Sequence, residues 1–216
     1  MVAATRSATG PAPLLVELLE LVPHPARLFP ALFRRAEREA LPQIVFSGAA
    51  GIFIAYAAPQ LLALGDRFGF LPTAVGVLLV GAAIGEVGLY FAGGLLSWSA
   101  DAIDGEGDAG RMDAVVGYSA WPFLPLLAIV VPTELSLYGD AVFSAQRPEA
   151  PLAIAWGIRL LEAATALVSA PLVVRGTAVA ARLSNVRAAE VIALSLLELG
   201  GIAVVVLTIL VISFLY

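Results

Sequence analysis

The chain has 216 residues, of which 60% are hydrophobic and 13% are charged, and its mean hydropathy is +0.94. Soluble domains are typically about 45–50% apolar and about 25% charged, so this composition indicates an integral membrane protein. The formal net charge is −5, every basic residue is arginine and cysteine is absent, which excludes a basic nucleic-acid surface, disulfides, thiolate metal sites and cysteine nucleophiles.

The first 42 residues form a predicted cytoplasmic lead-in. Its first apolar run, residues 14–22, is interrupted by Glu17 and Glu20, so we do not expect a cleaved signal peptide. The segment that follows predicts an amphipathic helix in the membrane interface, with phenylalanines in lipid and arginines on anionic headgroups. This interfacial anchor consists of Arg27, Phe29, Phe33, Arg34 and Arg38. A docking site for a partner is the alternative role of this segment.

Five later stretches are apolar enough to cross a bilayer, since a span needs about 20 residues at a rise of about 1.5 Å each. The sequence therefore predicts an all-α integral membrane bundle of about five transmembrane helices in residues 43–216. The predicted spans are 43–64, 72–97, 114–138, 151–174 and 190–214. The third contains Pro122, Pro125 and Pro132, which interrupt helical hydrogen bonding, so we expect it to be kinked or re-entrant.

The distribution of arginine predicts the orientation of these spans. With a cytoplasmic N-terminus, nine arginines lie inside, two lie outside, and Arg159 lies within the fourth span. This asymmetry places the N-terminus inside and the C-terminus outside. Because the arginine-only, alanine-rich composition is typical of GC-rich bacterial genomes, the expected location is the bacterial inner membrane.

Three patterns resemble motifs of active or binding sites, but none has the required context. GEGDAG at residues 105–110 matches G-x-G-x-x-G, yet it connects two spans, whereas a dinucleotide site needs a preceding strand. Asp104, Glu106 and Asp108 alternate like calcium ligands, but Val115 replaces the final glutamate, which favours a solvated acidic turn. His24 is the only histidine, which excludes Ser-His and multi-histidine sites. We therefore predict a protein that is not an enzyme, with no catalytic residue, metal, nucleotide or other cofactor.

Small residues predict a close helix contact on the second span. Gly81 and Gly85 form G-x-x-x-G, and Gly88 continues the pattern, so another helix is expected to approach this face. The approaching helix belongs either to the same chain or to a second copy.

Charged residues inside the predicted spans are the sharpest functional candidates, because ionisable groups are costly in lipid. They form the predicted intramembrane charge network of Arg159, Glu162, Glu198, Glu134 and Glu86. Arg159 and Glu162 are three residues apart on one helical face, which predicts an ion pair joined by an acid from another helix. A structural ion pair, a transport or proton pathway, and contact with a partner subunit all remain open.

Several segments in order along the chain carry a family resemblance. They are the lead-in PHPARLFPAL, the turn and helix GEGDAGRMDAVVGYSAWPFLPLL, and the later LSNVRAAEVIAL. In these features the chain resembles the Yip-domain family, membrane proteins known in eukaryotes for interacting with Ypt/Rab GTPases, which has a bacterial branch. The matching positions are Gly117, Tyr118, Pro122, Trp156, Arg187 and Ala188. The resemblance implies five spans with a cytoplasmic N-terminus.

The predicted function is that of a non-enzymatic, multi-pass scaffold that binds other membrane proteins or organises the membrane. The alternatives are a small transporter or channel that uses the intramembrane charges, and an accessory subunit of a larger membrane complex. The expected partners are membrane lipids and other membrane proteins, including a second copy of the chain, with no nucleic acid.

Overall fold

The computed structural model describes the backbone of residues 11–215 and the side chains of residues 14–56 and 62–204. The regular elements of this part of the chain are all helices, without a strand, and the predicted all-α class is confirmed. The helices are α1 Pro11–Leu21, α2 Pro25–Ala36, α3 Leu41–Leu62, α4 Leu64–Phe68, α5 Phe70–Ala102, α6 Ala109–Ser119, α7 Phe123–Tyr138, the 3₁₀ helix Gly139–Phe143, α8 Leu152–Ala180 and α9 Asn185–Leu215.

Three helical segments in the described residues are long and apolar enough to cross a membrane. They are α5, the combined segment Ala109–Phe143, and α8. A fourth arises if α2 and α3, which meet at a bend of 107°, are counted as one span. A long helix also covers the expected fifth span, but the side chains of α9 beyond Val204 lie outside the described residues. The membrane bundle is thus confirmed, and the number five remains a prediction.

The third predicted span is interrupted, as its prolines lead us to expect. Helix α6 ends at Ser119 and α7 begins at Phe123, with Pro122 between them. Proline has no backbone N–H, so Pro122 and Pro125 are tolerated where α7 begins and cannot continue the hydrogen bonds of α6.

Helices α3 and α5 pack closely along a line of glycines. A methyl group on Gly85 would overlap the Ser47 carbonyl, and one on Gly51 would overlap the backbone at Gly81. Because only hydrogen occupies these positions, the two backbones come nearer than larger residues would allow. Within this chain, the partner of Gly81 and Gly85 is therefore α3. Gly88 has open space beside it and takes no part in this contact.

The apolar face of α2 is buried inside the protein. Phe29 and Leu32 are 0% and 1% exposed, and they belong to one core with Met112, Tyr118 and Leu172. The phenylalanines thus contact α6 and α8, whereas the sequence led us to expect lipid. An amphipathic face fits either environment, and here the bend before α3 turns it against the bundle. Helix α2 is therefore packed against the membrane helices, and the boundary at residue 42 remains a prediction.

Candidate functional site

The two ends of the bundle differ, and each is named here by its residues. The acidic-turn end contains the turn 103–108, where α5 meets α6. The Phe143 end contains the start of α5 and the end of α7, with α4, the 3₁₀ helix and the start of α8.

A charged pair lies on α8, near the Phe143 end. The Arg159 guanidinium donates from Nη1 to Glu162 Oε2 at 2.8 Å, across the predicted i,i+3 spacing. The side chain of Arg159 is 75% exposed, and that of Glu162 is 26% exposed. Among the described residues, its ion pair is with Glu162 alone, so the expected acid from another helix does not join it directly. The pair lies at the surface of the bundle and is not hidden in the interior.

Two further charged side chains lie close to this pair. The Tyr56 hydroxyl of α3 donates to Glu134 Oε2 of α7 at 2.7 Å, which joins the two helices. The Arg147 guanidinium carbon lies 4.9 Å from the centre of the Tyr138 ring, a cation–π distance. The loop before α8 therefore brings a second arginine to this region.

These groups surround one cavity of about 740 Å³ between α3, α7 and α8. Its charged lining consists of Glu134, Arg147, Glu149, Arg159 and Glu162. Its apolar lining includes Phe53, Val130 and Ile158. Three carboxylates, two guanidiniums and an apolar wall make the cavity suited to an amphipathic molecule with charges of both signs. The sequence singled out three of these five charges, and it missed Arg147 and Glu149 because they lie in the connecting loop.

The other two members of the predicted charge network lie elsewhere. Glu198 of α9 accepts a hydrogen bond from the Ser99 hydroxyl of α5 at 3.1 Å, and Ser99 also contacts Ser195 at 2.8 Å. Glu86 is exposed midway along α5. The five charges therefore occupy three separate places and do not form one network.

At the acidic-turn end, arginines engage the acidic side chains. Glu106 pairs with Arg182 at 2.6 Å and with Arg111 at 3.8 Å, and its backbone N–H donates to Ala181 at 3.0 Å. Asp108 caps α6 by accepting from the Arg111 N–H at 3.0 Å. The turn is thus tied to the α8–α9 connection. The sequence suggested a merely solvated turn, because charge pairs distant along the chain leave no local signal.

The polar face of α2 carries the predicted basic residues. Arg27, Arg34 and Arg38 are exposed, while their companions Phe29 and Phe33 are buried in the core. Arg35, which the sequence did not single out, pairs with Glu17 and joins α1 to α2. The exposed side of α2 therefore carries arginines, while its apolar side is already packed against the core.

Four of the family-like positions have structural roles in the half of the bundle toward the acidic-turn end. A methyl group on Gly117 would lie 2.7 Å from the Gln43 side chain, so glycine permits the approach of α6 to α3. Tyr118 and Ala188 are fully buried, and Arg187 donates to the Ile103 carbonyl at 3.3 Å, just beyond α5. Of the other two, Pro122 precedes α7 and Trp156 is 62% exposed on α8.

The Phe143 end is held together by a carboxylate outside the spans. Asp66 of α4 accepts from the Ala145 N–H at 3.0 Å. Hydrogen bonds from the Ser144 side chain and then from this N–H lower the pKa of Asp66 below its usual value. The contact fastens the loop before α8 to helix α4.

The described residues contain no cluster of histidine, aspartate and glutamate arranged to hold a metal ion. The charge pairs, hydrogen bonds and amphipathic cavity of these residues can bind another molecule.

The comparisons with known proteins agree with this architecture. A model of the Yip1 domain family matches residues 19–208, which is most of the chain and includes α2 together with the membrane helices. No curated protein and no solved structure matches the chain. The matched family consists of non-enzymatic membrane proteins that interact with other proteins. The chain therefore belongs to the Yip1 domain family.

Proposed function

We propose that this protein is a multi-pass scaffold that binds another membrane protein through the exposed face of α5 around Glu86. Membership of the Yip1 domain family supports a membrane-associated role in protein interaction. The observation that carries the proposal is the position of Glu86, exposed on the bundle midway along an apolar membrane helix.

A carboxylate in this position is costly if only lipid surrounds it. A charged side chain at the centre of a membrane helix costs about 2.5–3.5 kcal/mol on insertion scales, and such residues usually face protein or water. Among the described residues, no hydrogen bond or ion pair is made to Glu86. A donor from another protein would compensate for this cost.

The surroundings of Glu86 suit a neighbouring helix. Ala82 and Ala83 are small and exposed one turn away, so a second helix could come close to the backbone of α5. Leu79 and Tyr90, which are 69% and 52% exposed, extend this face in both directions. The partner is therefore a transmembrane helix that presents a basic side chain at the depth of Glu86.

Photo-crosslinking in the membrane tests this proposal. A photoreactive amino acid at Leu79 or Tyr90 is expected to capture a discrete membrane protein, while the same probe at Ile84 is the control. Ile84 is 42% exposed and lies on the opposite side of α5 from Glu86.

Glu86→Gln should weaken the capture at Leu79 and Tyr90, because the amide loses the charge that recognises a basic donor. Equal capture at all three positions, or capture that is unchanged by Glu86→Gln, would contradict the proposal.

The topology is part of the same proposal. Five spans, with the N-terminus in the cytoplasm and the C-terminus outside a bacterial inner membrane, account for the arginine asymmetry. A reporter that is active only in the periplasm, fused after Tyr216, should give a signal. A silent reporter on a normally expressed protein would exclude this topology.

A further inference from the structure

The cavity at the Phe143 end has an unusual combination of charges for a membrane surface. Its lining holds the carboxylates of Glu134, Glu149 and Glu162 and the guanidiniums of Arg147 and Arg159. Both signs line one volume of about 740 Å³, within the range of about 300–1,000 Å³ typical of ligand sites.

The cavity adjoins the part of α8 that faces outward. Leu152, Trp156 and Leu160 on this part of α8 are 73%, 62% and 66% exposed, and in a membrane such side chains meet acyl chains. The cavity wall itself includes Phe53 and Ile158. A molecule in the cavity can therefore place polar groups among the charges while its apolar part remains in the bilayer.

The guanidinium of Arg159 retains donors for such a molecule. It has five N–H donors in a planar arrangement, and among the described residues its hydrogen bond is from Nη1 to Glu162. The side chain is 75% exposed and lines the cavity, so an anionic oxygen can approach it without displacing Glu162. The guanidinium geometry matches the oxygens of phosphate as well as those of carboxylate, and phosphate is the anion that phospholipid headgroups share.

We propose that this cavity binds the headgroup of phosphatidylethanolamine, with the phosphate on the arginines and the ammonium among the carboxylates. An anionic headgroup without an amine would meet three carboxylates, and a cation without phosphate would meet two guanidiniums. The ammonium donates three hydrogen bonds, which the choline headgroup cannot do because its nitrogen carries no hydrogen. This site is distinct from the partner face around Glu86, so each proposal can fail without the other.

Native mass spectrometry of the full chain, released from detergent with added lipid, tests the assignment. The probes are phosphatidylethanolamine, phosphatidylcholine and phosphatidylglycerol with identical acyl chains, together with soluble glycerophosphoethanolamine as a competitor. We expect phosphatidylethanolamine to bind at least about tenfold more tightly than the other two lipids, since the net worth of a charge-assisted hydrogen bond is about a factor of ten or more.

Two variants and one control connect the binding to the cavity. Glu134→Gln retains an acceptor for Tyr56 and should reduce the preference for phosphatidylethanolamine about tenfold, because the amide no longer attracts the ammonium. Arg159→Lys retains the positive charge and should weaken the binding of all three lipids alike, because they share the phosphate that the guanidinium holds. Arg67→Gln removes an exposed arginine on α4, at the same end but outside the cavity lining, and should change nothing. Elution volume and thermal midpoint verify the fold of each variant.

Three results would overturn the proposal. They are equal binding of the three lipids, preference for phosphatidylglycerol, and a Glu134→Gln variant that retains the wild-type preference. Displacement by glycerophosphoethanolamine at the same concentration as the lipid would also overturn it, because a soluble zwitterion would then suffice.

Discussion

The two halves of α8 show opposite relations to the rest of the bundle. In the second half, Leu172 is 2% exposed, and Gly176 allows Phe29 and Val115 to pack against the helix backbone. In the first half, Leu152 and Trp156 are largely exposed, and Arg159 borders a cavity. The second half of α8 is therefore packed into the core, while the first half is available for binding.

The largest effect is expected where two backbones touch, and α5 offers the sharpest contrast. Gly85→Leu would push a side chain into the Ser47 carbonyl, whereas Gly88→Leu would enter open space. Inserting extra groups into a packed site typically costs about 1–3 kcal/mol, and a backbone contact that cannot move places Gly85→Leu at or above that range. The unfolding midpoint in detergent measures both variants. Equal stability of the two would contradict the packing of α3 on α5.

The next comparison places the same substitution in the two halves of α8. A methyl group at Gly176 would lie 2.7 Å from Phe29 and 2.8 Å from Val115, while at Gly157 it would meet nothing within 4 Å. Gly176→Leu should therefore destabilise the fold by about 1–3 kcal/mol, because these side chains must move. Gly157→Leu should leave stability unchanged in the same assay. If Gly157→Leu were the more damaging variant, the assignment of packed and open halves would be wrong.

A smaller effect is expected from the charged pair in the open half. Arg159→Leu leaves the Glu162 carboxylate without its arginine, and we expect a loss of about 1 kcal/mol, near the upper end for exposed pairs. Arg159→Leu combined with Glu162→Leu should recover part of this loss. A double-mutant cycle on unfolding free energies separates the pairwise term from the individual ones. Strict additivity would show that the pair does not stabilise the helix.

The smallest expected effect is a pH dependence at the Phe143 end. The pKa of Asp66 is lowered, so its contacts with Ser144 and Ala145 favour the folded loop above the unfolded pKa near 3.8. This contribution is lost as the pH falls through the lowered folded value. The NMR shift of the Ala145 amide should therefore move in acid below pH 3.8. Asp66→Asn should abolish that movement, and a movement that persists in this variant would assign it to another group.

Much of the fold could be predicted from the sequence, because long apolar stretches and prolines act locally. The interruption at Pro122 is an example, since its effect on hydrogen bonding does not depend on the rest of the chain. The burial of Phe29 could not be predicted, because an amphipathic face packs equally well on lipid and on protein. The cavity was also beyond prediction, since it depends on how far the first half of α8 lies from α3 and α7.

The docking of α2 also has a consequence for biogenesis. Phe29 packs against Gly176, which follows it by 147 residues, so the binding surface for α2, which α6 and α8 share, is not complete until α8 has been synthesised. At a synthesis rate of roughly 5–20 residues per second, this delay is on the order of 10 s. During that interval the two phenylalanines of α2 need another apolar environment, and the lipid interface beside the translocon provides one. We therefore expect α2 to be a membrane-surface helix in the nascent chain and an internal helix in the finished protein.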